Sequence, residues 1–166
     1  MFKHWWIILA VWVVVSCSPQ VSHDLPERVA EVNAMERLSE DYLAGIEDLV
    51  DSKNELEEAW GLYMRARDLV VKGASVESLP MIERSEILFR SNRHPLGLSR
   101  VLLLKAHSYW ALGAGEEILS VSQETMALRQ GDTLAWATAA GNYSTYLIDF
   151  GYYAEALEYS DTVLSI

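Results

Sequence analysis

The side chains able to do chemistry are few and scattered. The chain has one cysteine, Cys17, and four histidines, His4, His23, His94 and His107. A zinc site needs several His or Cys ligands brought together, often one helical turn apart. Only His107 falls inside a helical pattern, and no second His or Cys stands a turn away from it. It therefore reads as a lone groove or surface histidine, and no metal is expected. One cysteine excludes an intrachain disulfide. The carboxylate pairs Glu57-Glu58 and Glu116-Glu117 are adjacent, so on a helix they diverge and cannot flank one substrate. Gly113-Ala114-Gly115 lacks the lysine that a phosphate-cradling loop carries, and no nucleophile elbow is present. Asn142-Tyr143-Ser144 matches a glycosylation acceptor but falls in a helix expected to be buried. The residues point to a protein that is not an enzyme, takes no cofactor and has no evident small-molecule substrate.

Charge narrows the partners. The 166 residues carry a formal charge of −11, with 51% hydrophobic and 22% charged residues. Nucleic acid is disfavoured, because neutralising phosphates takes clustered Lys and Arg. The same excess disfavours an anionic lipid surface as a partner for the folded part. Glu27, Glu31, Glu36, Glu40, Asp41, Glu47 and Asp48 read as a solvated face. The length suits one folded domain.

Residues 1–16 have the layout of a secretory signal. Lys3 and His4 precede an unbroken apolar run from Trp5 to Val15, about half the ~20 residues a spanning helix needs. Val14-Val15-Ser16-Cys17 resembles the lipobox of bacterial lipoproteins, with Val14 where Leu is more usual. The resemblance implies lipidation of Cys17, cleavage before it, and stable anchoring by several acyl chains. Ser18 follows the cysteine, which by the same resemblance favours the outer membrane, with the protein facing the periplasm. Residues 17–26 are polar and proline-flanked and read as a tether.

Beyond the tether the elements that position any site are helices. Val29, Val32, Met35, Leu38, Tyr42, Leu43, Ile46 and Leu49 recur at three- and four-residue steps, which predicts one N-terminal helix within 27–54. Ser52 to Asn54 supplies a break and a cap, and Leu56 to Lys72 continues the pattern to Gly73. A helix over 76–91 precedes a loop through Asn92, His94, Pro95 and Gly97. Further helices run to Gly113 and Arg129, and a turn at Gln130-Gly131-Asp132 introduces a last pair. No segment alternates with the period of a strand.

Gly73, Gly113 and Gly151 are 40 and 38 residues apart, and each ends one helix and opens the next. Ala66, Ala106 and Ser144 precede them at one common distance, and Leu69, Tyr109 and Leu147 at another. The third unit continues Gly151-Tyr152-Tyr153-Ala154-Glu155-Ala156-Leu157, which resembles a tetratricopeptide repeat. Small residues at Ser144 and Ala156 let two antiparallel helices approach, with an aromatic ring wedged above them. The second unit carries Ile118 where Ala is usual. The first has Ser78 and Pro80 in place of the Ala-Leu pair, and the spacing exceeds the usual 34 residues.

The resemblance implies an all-α fold: three helix-turn-helix units over 55–166, stacked as a short right-handed solenoid whose first helices line a groove. The corresponding positions are Trp60, Tyr63 and Arg67; Arg100, Leu103, His107 and Trp110; and Thr138, Gly141, Thr145, Ile148 and Asp149. Aromatics interleaved with arginine suit a protein or peptide partner, and arginine suits a carboxylate. The alternative for Trp60 and Trp110 is core packing between helices. The expected function is a lipid-anchored interaction scaffold of the bacterial envelope. The second reading is the sensory part of a longer signalling protein, cut within its third unit, since Val163, Leu164 and Ile166 leave an apolar end.

Overall fold

The computed structural model describes residues 25–165. These form eight helices: α1 Glu27–Ala34, α2 Glu40–Val50, α3 Glu55–Val71, α4 Ser75–Ser91, α5 Pro95–Leu112, α6 Gly115–Leu128, α7 Thr133–Asp149 and α8 Tyr153–Leu164. No strand occurs among the described residues. The signal-like segment and Cys17 lie outside them.

Local chemistry sets the helix ends. Ser39, Asn54 and Asp132 each accept a backbone N–H of the first turn through their side chains, starting α2, α3 and α7. Pro95 opens α5, where its missing N–H costs nothing. Gly73, Gly113 and Gly151 take φ of +79°, +75° and +84°, as their spacing suggested. At all three turns the same bond closes the preceding helix: Ala74 to Leu69, Ala114 to Tyr109, and Tyr152 to Leu147, at 2.9, 3.0 and 2.8 Å from N to O. The α4–α5 turn repeats this bond from His94 to Phe89, with Arg93 in place of glycine at φ +51°.

Three expectations need correction. The single N-terminal helix is two, because the chain breaks between Ala34 and Glu40, with Leu38 at φ +67°. The break lets Arg37 reach Asp68 on α3, at 2.7 Å. Leu25 and Pro26, expected in the tether, belong to the folded part, since Leu25 packs against the core and Pro26 precedes α1 directly. Pro95 and Gly97 belong to helix α5, and His94 is its cap, Nδ1 accepting the Gly97 N–H at 2.9 Å.

Each helix packs on its chain neighbour, and α3 also touches α1 and α5. The largest core cluster joins α1 to α5 around Tyr42, Leu49, Trp60, Met64, Ile82, Phe89 and Leu102. Ala106, Ile118 and Tyr146 carry it onward, and Ala140, Tyr143, Leu147 and Ala156 form the packing under α8. Ser144 and Ala156 meet as expected, with the Ser144 hydroxyl donating to the Ala156 carbonyl at 2.9 Å. Tyr153 is 68% exposed, and the rings packed with Ala156 are those of Tyr143 and Tyr159, edge to face at 5.0 Å. Ser78 stands at the register of Ala156 and is fully buried, while Pro80 lies on the exposed side of an unbroken α4.

Candidate functional site

Helix α5 carries the organising stripe. Arg100, Leu103, His107 and Trp110 follow three- and four-residue steps, share one face, and are all half-buried. This stripe runs between α3 on one side and α7 on the other, and two groups of side chains gather along it.

The first group is built on Trp60. Its indole is 1% exposed and is met edge-on by Phe89, Tyr63 and His94 at centroid distances of 5.1, 5.6 and 5.8 Å. Trp60 therefore cannot offer a face to a partner, and the core alternative describes it. What it offers is a platform, since the Arg100 guanidinium lies 5.4 Å from its ring centre. Arg67 also departs from a lining role. Its Nη2 donates to the Tyr42 hydroxyl at 2.9 Å, its Nε lies 3.8 Å from the Asp68 carboxylate, and its guanidinium rests 5.9 Å from the Tyr63 ring centre. Burial opposes the Arg67 charge, but facing Tyr63, Tyr42 and Asp68 more than offset it and raise its pKa. Arg67 ties α2 to α3.

A residue that periodicity did not single out joins this group. Arg129 caps α6, and because α5 and α6 are antiparallel neighbours it returns to the end of the hairpin where Arg100 stands. Burial and the nearby Arg100 charge push its pKa down, with Asp132 and Tyr63 opposing. Its sequence context, a helix end before Gln130-Gly131-Asp132, signalled only a turn.

The second group links α5 to α7. Trp110 Nε1 donates to Asp149 Oδ2 at 2.8 Å, and its ring lies 5.6 Å from His107 and 6.2 Å from Tyr146. Burial lowers the pKa of His107. Burial raises that of Tyr146, and the Asp149 charge adds to the effect. Tyr146 was missed because its ring turns away from its own helix's half-exposed stripe and into the neighbour. Thr145 directs its hydroxyl to the Gly141 carbonyl of its own helix, at 3.0 Å. Ile148 and Asp149 are exposed. Of the residues expected along one groove, Arg100, His107 and Trp110 are half-buried and Ile148 and Asp149 exposed, whereas Trp60 and Tyr63 are buried.

No set of three His, Cys, Asp or Glu side chains converges as a metal site among the described residues. None of the described helices is long and apolar enough to cross a membrane. Comparison of the chain with protein-family models, curated proteins and solved structures finds no match.

Proposed function

We propose that this chain is a lipid-anchored interaction scaffold of the bacterial cell envelope, held to the outer membrane through Cys17 and binding a protein or peptide of the periplasm. In this reading α3–α4, α5–α6 and α7–α8 are three tetratricopeptide-like hairpins wound as a right-handed solenoid. The recurrent glycine turn, with the same closing bond after α3, α5 and α7, supports that repeat reading. The observation that carries the binding reading is the half-buried stripe Arg100–Leu103–His107–Trp110, flanked by Tyr63 and Asp149. Such a surface mixes aromatic area with fixed charge, as binding hot spots do.

The test is capture of partners from detergent-solubilised membranes by wild type and by Arg100→Ala plus Trp110→Ala. Loss of a captured partner in the double variant, with its helical circular dichroism and melting retained, is the expected result. Capture unchanged from wild type would remove the face from consideration. Arg67 is left intact because its hydrogen bond to Tyr42 and its ion pair with Asp68 belong to the fold. Anchoring is read separately, by mass spectrometry of the membrane-extracted protein against Cys17→Ala. The reading requires an acylated Cys17 at the mature terminus of wild type alone.

The second reading, a repeat segment of a longer signalling protein, draws on α8. Tyr153, Leu157 and Leu164 are exposed along it, and Ala156 is its one buried residue. Genomic sequence beyond the codon for Ile166 tests that reading directly.

A further inference from the structure

Helix α8 leaves much of its apolar surface uncovered. Every other helix buries at least two residues, whereas α8 buries Ala156 alone. Tyr159 and Val163, on the same side as Ala156, pack against the cluster around Ala140 and Tyr143. Tyr153, Leu157 and Leu164 do not, and are 68%, 61% and 85% exposed. Steps of four and seven residues put these three within about 40° of one another around the helix, in a stripe about 16 Å long. The stripe is a second apolar side of α8, turned away from the one that α7 covers.

Two hydrogen bonds fix the direction in which the stripe faces. Gln123 of α6 donates to the Tyr143 hydroxyl at 2.9 Å, and that hydroxyl donates to Glu155 at 3.1 Å. The Glu155 flank of α8 is therefore the one toward α6, and the stripe lies about half a turn round the helix from it. On α7, Leu134 and Gly141 stand well round the helix from Tyr146, which packs with Ile118 of α6. That flank is open too, since Leu134 is exposed and nothing stands within 4 Å of a Cβ on Gly141. Glu158 and Asp161, both exposed, follow the stripe round α8 as its rim. Their charge is not answered locally: residues 130–166 contain no Lys or Arg, and the ion pairs of the described residues all fall between Arg28 and Glu124.

An apolar stripe with a carboxylate rim sets the chemistry of what can cover it. The backbone groups of α8 are spent within its own helix, so an extended segment finds no edge to pair with. A helix can lay an apolar face along the stripe, and the unanswered carboxylates favour Lys or Arg beside that face. Charge disfavours a second copy, because two α8 stripes laid together would oppose the Glu158 and Asp161 of each. At the other end of the chain, exposed Met35, Leu38 and Leu43 stand among Glu36, Glu40 and Asp41, which would oppose the same rim. An anionic lipid surface is repelled in the same way. The geometry points to Tyr153, Leu157 and Leu164, rimmed by Glu158 and Asp161, as a dock for a cationic amphipathic helix of another protein. The dock shares no residue with the α5 stripe and does not rest on it.

The probe is an amidated peptide of leucine and lysine about five helical turns long, with its leucines at three- and four-residue steps. It is titrated onto the full chain in phosphatidylcholine nanodiscs and followed by fluorescence anisotropy, with empty discs as the baseline. Wild type is expected to bind it, and Leu157→Ser plus Leu164→Ser to weaken binding at least ~10-fold. Both leucines are exposed, so this variant should melt as wild type does. Glu158→Gln plus Asp161→Asn is expected to weaken binding about 3-fold at low salt, a difference that closes at high salt. Leu43→Ser, at the other end of the chain, and Arg100→Ala plus Trp110→Ala, in the α5 stripe, should keep wild-type affinity. A peptide with glutamate in place of lysine should not bind. A wild type that does not bind the lysine peptide, or binds both peptides alike, overturns the dock. So does full affinity in the double serine variant, or a loss confined to the Leu43 or α5 variants. A wild type that sediments as a dimer, with the double serine variant a monomer, assigns the face to a second copy and overturns the external partner. Where the gene encodes a chain running past Ile166, failure of that longer chain to bind the peptide assigns the face to its own continuation, with the same consequence.

Discussion

Two glycines inside helices should respond in opposite directions to the same added methyl group. Gly97 lies in the first turn of α5, where a Cβ would stand 2.2–2.6 Å from three atoms of the Phe89 ring. Carbon atoms settle at about 3.5–4.0 Å, so the ring would have to retreat by more than about 1 Å. Phe89 has nowhere to go, being fully buried and packed against Trp60 and His94 at 5.1 and 5.6 Å. Overpacking of this kind costs about 1–3 kcal/mol, and alanine's better helix propensity returns at most about 1 kcal/mol. A clash this close takes the upper end of that cost, so Gly97→Ala should lose about 2 kcal/mol net. Gly141, in the middle of α7, has nothing within 4 Å of its notional Cβ. There only the propensity gain applies, and Gly141→Ala should gain about 0.5–1 kcal/mol. Urea unfolding followed by circular dichroism measures both as shifts of midpoint at constant slope. A Gly97→Ala variant as stable as wild type would show that α4 and α5 are not in the close approach described. A destabilised Gly141→Ala would show that α7 is covered on that side.

Two further outcomes follow from the charged and phenolic groups. Arg67→Ala removes the charged hydrogen bond to Tyr42 and the ion pair with Asp68, and should destabilise the fold by about 1.5–3 kcal/mol, the range for a hydrogen bond to a charged group; a variant that lost only partner capture and no stability in urea would return Arg67 to the binding face. Burial, with Asp149 adding, raises the pKa of Tyr146, and burial likewise leads the increases at Tyr42 and Tyr143. An acid whose folded pKa is raised contributes stability that is complete below the ordinary tyrosine value of 10.0 and is lost as pH rises through the folded value. Stability should thus decline on the alkaline side, with phenolate absorbance from these residues appearing together with loss of helix. Ionisation of Tyr146 in a still-folded protein, followed by NMR, would contradict its burial against α5.

The helices themselves, their approximate order and the three glycine turns were legible in the residues, because these depend on interactions within a few positions of the chain. A 3.6-residue apolar period, an Asn or Asp before a helix, and a glycine able to take positive φ act locally. Even the Ser144–Ala156 approach was visible, since a small residue at a fixed distance from a turn is a local pattern. The break between Ala34 and Glu40 was not, because the apolar stripe of 27–50 continues across it. Ser39 caps the new helix locally, but the partner that holds the break is remote: Arg37 answers the Asp68 carboxylate on α3. The repeat resemblance also assigned Trp60 and Arg67 to the same groove as Arg100, and could not say which parts of it another helix would cover. Burial of Trp60 by Phe89 and His94 turned a proposed contact into a platform, and Tyr42 drew Arg67 into the fold. Arg129 gained its place from the antiparallel return of α6 along α5, 29 residues after Arg100 in the chain. A side chain's helical phase is a property of its own segment. Its exposure, its partners and the charge it meets are properties of the segments folded against it, and those only the tertiary packing decides.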